Sequence, residues 1–476
     1  MAKKKTLITM LADNCISFDL IENEKGKKVY ETEFLSFEAD NTDEYAKTGN
    51  FSGVNIYGFM PDSIPYFDKV CGDASVWKYI VPIEKIDVSD ITEKQLDALL
   101  GQIGAELKSL ALNCNLFTKL ELNKIVKACP KLCELELTDG NWEREKRMTI
   151  DLNDIGKQKF DVINCQQFSI KNGANWSALN ISSLTFDDCD TSKVYFPDKL
   201  KELSLTSIND VVTIQGAKNL NQLKLVANAE SSKSVDLSSL SSLAELELSL
   251  MFAEKVKVKL PAALKSLDLN ASIENSFSLA FLKDLKNLES LKIRTGEKSA
   301  KDINAISSLS NLKQLKYDEN GVGNDSFKSD FKTEYLKGLK QLEELSLRYV
   351  VNLPDFSFVK ELPALKVLEI DTSRVKTLKG LEAGNVEKLS LSDCHSISDW
   401  TPILKSKITD LKFFISGYWG TKLEMTTKTL NQLAESSIKN AEISLDKVKL
   451  TKKDLKPMEK VFTLDGDSSS MTFERK

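Results

Sequence analysis

The stretch LEELSLRYVVNLPDFSFVKELPALKVLEIDTS occupies residues 342–373 and contains the same apolar frame twice. The frame has the form L-x-x-L-x-L; it begins at Leu342 and returns 23 residues later at Leu365. Alternate side chains of a strand point to opposite faces, so the last two apolar residues of each frame share one face. One such strand cannot bury that face alone. The repetition therefore predicts copies stacked as parallel strands about 4.8 Å apart around one continuous core.

The frame recurs along most of the 476-residue chain, at intervals that are mostly 19–25 residues, with two of 30. Clear copies begin at Leu107, Leu132, Ile181, Leu200, Leu220, Leu243, Leu264, Leu288, Leu312, Leu342, Leu365, Val386 and Ile408. Ile83 begins a weaker copy, and Cys165 and Ile438 begin degenerate ones. A fixed period of this length indicates a repeat solenoid rather than a set of unrelated domains.

This pattern resembles the leucine-rich repeat family, whose consensus is L-x-x-L-x-L-x-x-N/C-x-L, over residues 80–450. Cys129 before Pro130 is similar to the cysteine-containing subclass, whereas ISDWTPILKSKITDLKF at 397–413 is similar to the short internalin-like subclass. The resemblance implies an α/β fold, a curved horseshoe built on a parallel sheet. We expect three parts: a β-rich or α+β N-terminal cap at 1–80, the solenoid at 81–450, and a C-terminal cap or tail at 451–476.

Local signals on the convex side predict helices early in the array and flatter coils later. Thr92 with Gln95, and Thr118 with Glu121, fit the capping box that opens a helix. The later repeats are short and leave room for a 3₁₀ turn or extended chain. Only some copies have the consensus asparagine or cysteine at the ninth frame position; the copy that begins at Leu342 has Val350 there. We therefore expect uneven coils.

Composition narrows the class of function. Charged residues make up 28% of the chain and the formal net charge is -5, which argues against a nucleic-acid binder. No apolar run is long enough for a membrane span. The eight cysteines contain no C-x-x-C pair and the chain has one histidine, so zinc spacing is absent. Most of the cysteines fall inside apolar frames, where a reduced thiol acts as a small hydrophobe, which favours a reducing, cytoplasmic location. The alternative, a secretion signal at the lysine-rich N-terminus, lacks a small-residue cleavage site.

No catalytic motif is present, and we expect neither enzymatic activity nor a cofactor. Glycine-rich phosphate loops and the G-x-S-x-G nucleophile motif are both missing. The single histidine, His395, follows Cys394 directly, so a cysteine–histidine couple is conceivable. Adjacent residues at a strand end usually point apart, which favours an exposed loop histidine instead.

Frame positions three, five and seven are predicted to project from the concave face, where a partner could bind. In the later repeats they form a basic group between acidic neighbours. This group consists of Lys292, Arg294, Lys316 and Arg348. A partner of complementary charge could be steered to it. The alternative is that neighbouring strands pair their charges laterally, as Asp268 with Lys292 would.

A second candidate is the aromatic sequence FFISGYWG at 413–420. The frame places Phe414 on the outer side, and Tyr418 and Trp419 follow in the adjoining loop. Tyr and Trp are enriched in interface hot spots. The competing interpretation is that these rings pack beneath the C-terminal cap.

The sequence therefore predicts a non-enzymatic scaffold that binds a protein partner on its concave face. Two alternatives stay open. The N-terminal 80 residues could carry an effector or enzyme activity, or the chain could be a surface adhesin.

Overall fold

The chain divides into two compact units, Met1–Lys224 and Leu225–Lys476. The computed structural model describes residues 84–141, 143–190, 194–208, 214–228, 234–251, 256–271, 278–295, 301–319, 329–416, 427–445, 452–466 and 470–476, together with the strand backbones at 19–22, 28–31, 35–38 and 53–57. In each unit the frames form neighbouring parallel strands, so the predicted α/β leucine-rich repeat fold is confirmed.

The first unit begins with antiparallel strands and continues as a parallel ladder. Its strands are Asp19–Glu22, Lys28–Glu31, Leu35–Glu38, Gly53–Tyr57, Lys85–Ser89, Ser109–Asn113, Glu134–Thr138, Lys159–Gln166, Asn180–Asp187 and Glu202–Ile208. The first four are antiparallel neighbours in chain order, and Gly53–Tyr57 then pairs in parallel with Lys85–Ser89. The division into domains at residues 80 and 450 stays a prediction.

The second unit repeats the ladder and ends in a hairpin. Its strands are Glu245–Met251, Ser266–Ala271, Ser290–Thr295, Gln314–Glu319, Glu344–Arg348, Val367–Asp371, Lys388–Ser392, Asp410–Ile415, Asn440–Leu445, Phe462–Gly466 and Ser470–Arg475. The strand Gln222–Asn228 spans the position at which the units divide. Ser470–Arg475 pairs in antiparallel fashion with both Asn440–Leu445 and Phe462–Gly466, which reverses the ladder.

Short elements form the side of each coil opposite the sheet. Among the described residues, the α-helices are Glu93–Ile103, Leu122–Ala128, Thr427–Glu435 and Lys452–Glu459. The 3₁₀ segments are Gly104–Glu106, Leu152–Ile155, Gly173–Ala178, Ala280–Asp284, Ile303–Ser308, Thr333–Leu336, Ser357–Glu361, Leu381–Ala383 and Thr401–Lys405. Paired two- or three-residue strands are Thr149–Ile150 with Ser169–Ile170, Tyr195–Phe196 with Gln215–Gly216, and Ser234–Asp236 with Lys257–Lys259. The predicted change from helical to flatter coils occurs after Leu122–Ala128, but α-helices return at Thr427–Glu435 and Lys452–Glu459, which the sequence did not predict.

The frame residues line up strand by strand and form the core. Leu345 and Leu368 are partners across neighbouring strands, as are Leu347 and Ile370, and all four are at most 1% exposed. Complete burial of such a side chain contributes about 1.5–3 kcal/mol, so each added coil extends a self-consistent core.

Only one of the two predicted capping boxes forms. The Thr92 amide donates to Gln95 Oε1 at 2.8 Å, and the Gln95 amide donates to Thr92 Oγ1 at 3.4 Å. The second helix begins after Glu121, without a side-chain cap. Thr118 instead donates its hydroxyl to Glu93 of the preceding coil at 2.7 Å. The local prediction was wrong at Thr118 because a carboxylate from the neighbouring coil competes for it.

The copy assigned to Cys165 begins five residues earlier. Phe160 is the partner of Ile181, and Cys165 is the partner of Phe186, so Cys165 is the sixth residue of a frame that starts at Phe160. Its side chain is 2% exposed. The region around 140–180 therefore contains a regular strand, Lys159–Gln166.

Asparagines join the coils at a position the sequence did not single out, immediately before the first frame residue. Each donates its side-chain amide to a backbone carbonyl of the preceding coil. The pairs are Asn219 with Asp198 at 2.8 Å, Asn287 with Ala262 at 3.0 Å, Asn311 with Lys286 at 2.9 Å, and Asn385 with Pro363 at 2.8 Å. At the ninth position Cys394 and Ser373 make similar bonds through Sγ and Oγ. Hydrogen bonds between coils therefore come from two places in the repeat: the residue before the frame and frame position nine.

Frame position eight occurs in two conformations. In one group of coils it is left-handed, with φ between 50° and 66° at Asp90, Gln167, Asp188, Ser207, Tyr349, Thr372 and Asp393. In another group the strand continues and position eight turns into the core. Its occupants there include Ala227, Leu250, Thr295, Glu319 and Ile415, each at most 7% exposed. The coils therefore differ, as expected, and the difference is in the conformation of the residue at which the chain leaves the strand.

Candidate partner-binding surface

Frame positions three, five and seven of the second unit form a polar surface, which we call the outer face, on the side of the sheet opposite the core. At position five the row runs Glu247, Asp268, Lys292, Lys316, Ser346, Glu369, Ser390, Lys412 and Glu442. At position seven it runs Ser249, Asn270, Arg294, Asp318, Arg348, Asp371, Ser392, Phe414 and Ser444. The alternation of the strand accounts for both rows.

The position-five row brings two lysines side by side. Lys292 Nζ lies 2.6 Å from a carboxylate oxygen of Asp268 on the preceding strand. Lys316 is the partner of Lys292 on the next strand and is exposed. Within the described part of the chain Lys316 has no ion pair or hydrogen bond, so it is the basic group of this row that is available to a ligand.

The position-seven row is a continuous ion-pair ladder. Asp318 lies between Arg294 at 3.6 Å and Arg348 at 3.7 Å, and Arg348 reaches Asp371 at 3.0 Å. Arg348 also stacks on Tyr349, with its guanidinium carbon 5.0 Å from the ring centroid. Lateral pairing of charges therefore occurs at Arg294 and Arg348, as it does at Lys292.

At the end of this ladder, burial and ion pairing have opposite effects on the pKa values of Asp371 and Arg348. Loss of hydration raises the pKa of the Asp371 carboxyl, against the lowering effects of the Thr372 hydroxyl and Arg348. Burial acts to lower the pKa of the Arg348 guanidinium, but Asp371 and its other anionic neighbours outweigh it, so that pKa is raised. The ladder is thus held in a partly desolvated strip of the outer face.

Phe414 stands alone on the outer face. Its side chain is 45% exposed, and its partners on the neighbouring strands are Ser392 and Ser444. The preceding residue, Phe413, points inward, is 1% exposed and packs edge-on against Trp400 at 5.1 Å. Phe414 is therefore not part of the core. Tyr418 and Trp419, the other members of the aromatic candidate, lie outside the described residues.

The outer face of the first unit differs in charge. Asp87, Ala111 and Glu136 are neighbours in one row, with the small Ala111 between the two carboxylates. Loss of hydration raises the pKa of Asp87, and the charge of Glu136 raises it further. Sequence inspection missed this pair because the copy beginning at Ile83 is weak.

The conceivable cysteine–histidine couple does not form. The Cys394 thiol lies against the backbone carbonyls of Ile370 at 3.6 Å and Ser392 at 3.4 Å. His395 Nδ1 lies 3.2 Å from the Asp393 carbonyl. Burial raises the pKa of Cys394 to about 12, so its nucleophilic thiolate is scarce at neutral pH.

The described residues contain no group of three or more His, Cys, Asp or Glu side chains placed to hold a metal ion. Nor does any described helix combine the length and apolar character needed to cross a bilayer.

No family model and no curated protein matches the sequence. Among solved structures, the chain is similar to the internalin InlF of Listeria monocytogenes, with 19% identity over 71% of this chain and 94% of that one, at a TM-score of 0.41. It is similar to LIC12759, a leucine-rich repeat protein of Leptospira interrogans, with 18% identity over 73% and 85% and a TM-score of 0.47. A third structure, the TLR13–ssRNA13 complex, shows 16% identity over 79% and 56%, with a TM-score of 0.45. These likenesses concern the fold alone.

The cytoplasmic location predicted from the sequence is wrong. The similar structures include internalins, which are secreted or surface-anchored, and TLR13, which is membrane-associated. The prediction rested on cysteines that fall inside apolar frames, and the thiols of Cys114, Cys129, Cys165, Cys189 and Cys394 are indeed free and buried. Because burial keeps a thiol protonated and inaccessible, such cysteines stay unpaired in reducing and oxidising surroundings alike.

Proposed function

We propose that this chain is a non-enzymatic protein-interaction scaffold, and that its partner binds the outer face of the second unit around Phe414 and Lys316. The exposed ring of Phe414 carries the proposal. A large aromatic side chain left in water on a rigid strand, between two serines, gains free energy when a partner covers it. Aromatic residues at such positions are enriched in protein interfaces.

Lys316 supplies the charge of the same surface. Four strand steps separate it from Phe414, a distance of about 19 Å at the usual strand spacing. Both therefore fit within one interface of standard size. Lys292, Arg294 and Arg348 flank Lys316, and their ion pairs hold the surrounding charges in a fixed pattern that would register the partner. Tyr418 and Trp419 remain predicted contacts.

Two observations support a binding role without catalysis. Cys394 is buried and protonated, so it is a poor nucleophile. Lys316 is exposed on the outer face and has no ion pair among the described residues, so its charge is available to a complementary surface. The prediction that no nucleic acid binds rests on the net charge of -5 and stays a prediction.

The test is affinity capture with the full chain, comparing Phe414→Ser with Leu116→Ser. Leu116, in the first unit, is 50% exposed, so it is a matched exposed apolar control. We expect proteins captured by the wild type to be lost with Phe414→Ser and retained with Leu116→Ser, at equal thermal stability. Lys316→Glu should weaken the same captures, more strongly at low salt. Retention of every partner by Phe414→Ser would rule out this surface.

A further inference from the structure

A carboxyl group is buried in the core of the second unit where other coils place an apolar or hydroxyl side chain. Glu319 is the last residue of the strand Gln314–Glu319, at frame position eight, and is 0% exposed. The equivalent residue on the preceding strand is Thr295, and an earlier coil has Leu250 there. Glu319 thus points into the coil, away from the outer face.

The carboxyl is incompletely satisfied. The Tyr317 hydroxyl donates to Glu319 Oε1 at 2.9 Å. Within the described residues, Oε2 has no hydrogen-bond partner. The returning segment Ser329–Phe331 packs across this end of the strand, and the Phe331 ring lies 4.7 Å from the Tyr317 ring. An ionised carboxylate would therefore keep Oε2 buried without a hydrogen-bond donor from the described residues.

No described cation faces this carboxyl. Tyr317 is the titratable group that faces it from its own strand, since Lys316 and Asp318 lie on the outer face, and Asp330 is the one on the returning segment. The neighbouring strand offers the uncharged Thr295. Arg294 and Arg348 pair with Asp318, on the opposite face of the sheet.

Loss of hydration raises the pKa of Glu319 from its ordinary value of 4.5 to about 7. Hydrogen bonds from the Ser329 and Tyr317 hydroxyls and from the Phe331 backbone amide offset part of this effect, and the nearby charge of Asp330 adds to it. The carboxyl therefore changes charge in the range of mildly acidic to neutral pH.

We propose that Glu319 is a proton-operated latch: its neutral form lets Ser329–Phe331 pack fully against the strand end, and its ionisation weakens that packing. The sign follows from linkage. Between about pH 4.5 and 7 the folded state binds a proton that the unfolded state has released, so stability falls as pH rises through this window. Below the window both states are protonated, and above it both are ionised.

The first test uses the full chain and the variant Glu319→Gln, which imitates the neutral carboxyl. From about pH 5 to about pH 8 the folding equilibrium constant of the wild type should fall by more than about tenfold relative to that of the variant. Glu289→Gln is the control, because Glu289 is paired with Lys313 and its pKa is lowered, outside this window. A Glu319→Gln variant that keeps the full pH dependence of the wild type would overturn the proposal.

The second test does not depend on the stability of that variant. Infrared difference spectra of the wild type should show a protonated carboxyl that ionises near pH 7. Tyr317→Phe removes the donated hydrogen bond and should move this ionisation to higher pH. A wild-type spectrum in which every carboxyl has ionised by about pH 5 would also overturn the latch.

Discussion

Glycine is required by the backbone at Gly380 but not at Gly101. Gly380 has φ at 102°, and a Cβ built on it would lie 2.3 Å from the backbone carbonyl carbon of Phe356. Gly101 lies in the helix Glu93–Ile103, and a Cβ there would meet nothing within 4 Å. The first position requires glycine for close backbone approach, whereas the second tolerates it at a cost in helix propensity.

Gly380→Ala should lower the free energy of unfolding by more than about 2 kcal/mol, because left-handed strain and a backbone clash add. Gly101→Ala should raise it by about 0.5–1 kcal/mol, because alanine loses less conformational freedom in a helix. Urea unfolding of both variants against the wild type measures the difference. Equal effects of the same sign at the two positions would contradict this reading of the backbone.

At the scale of the single element, the frame predicts strands reliably and their ends poorly. Alternation fixed the inward residues, including Leu345 and Leu368, because a slip of one residue would expose the whole apolar set. It failed at Phe160, where Cys165 looked like the start of a copy. It also missed the competition of Glu93 for Thr118, because a local pattern carries no information on the neighbouring coil.

Position eight decides how each strand ends. A short polar residue such as aspartate tolerates the left-handed conformation, so the chain leaves the sheet there. A β-branched or aliphatic residue keeps the strand extended and turns inward, as Leu250 and Ile415 do. Thr372 and Tyr349 are left-handed nonetheless, and their amides donate to the carbonyls of Ser392 and Asp371 on the next coil at 2.8 and 2.9 Å.

A matched pair of substitutions tests this role of position eight. Ser207 has φ at 54°, while Ser204, three residues earlier on the same strand, is at outward position five. Ser207→Val should destabilise by about 1–2 kcal/mol, because a β-branched residue resists the left-handed conformation. Ser204→Val should change stability by less than about 0.5 kcal/mol, because valine suits an extended strand. Thermal denaturation compares them; an equal loss in both would show that position eight is not special.

At the scale of the whole molecule, the sequence predicted the solenoid and the rows of the outer face. The repeat frame, together with the alternation of side chains along a strand, predicts Lys292 beside Asp268 on neighbouring strands, and these two residues form an ion pair. The sequence could not show that Arg294 and Arg348 are also paired, or that Lys316 has no ion pair among the described residues, because the conformations of long side chains decide both. Nor could it reveal the carboxyl of Glu319, since position eight turns inward only in some coils.

The buried cysteines make the chain's cooperativity measurable. Cys165 lies in the first unit and Cys394 in the second, and burial raises the pKa of both thiols. Because the thiolate is the reactive form, alkylation of either requires local opening. Peptide mapping by mass spectrometry then reports the opening of each unit separately.

Phe413→Ala should open the second unit selectively. Phe413 is buried against Trp400 and pairs with Leu391 of the coil that contains Cys394. Loss of the ring costs about 3–5 kcal/mol, which converts to roughly a hundredfold or more in the population of the opened state. Because repeats contact only their neighbours, alkylation of Cys394 should accelerate by this order, while that of Cys165 changes little. Equal acceleration at both thiols would mean that the chain opens as a single cooperative body, and nearest-neighbour coupling could not then describe its stability.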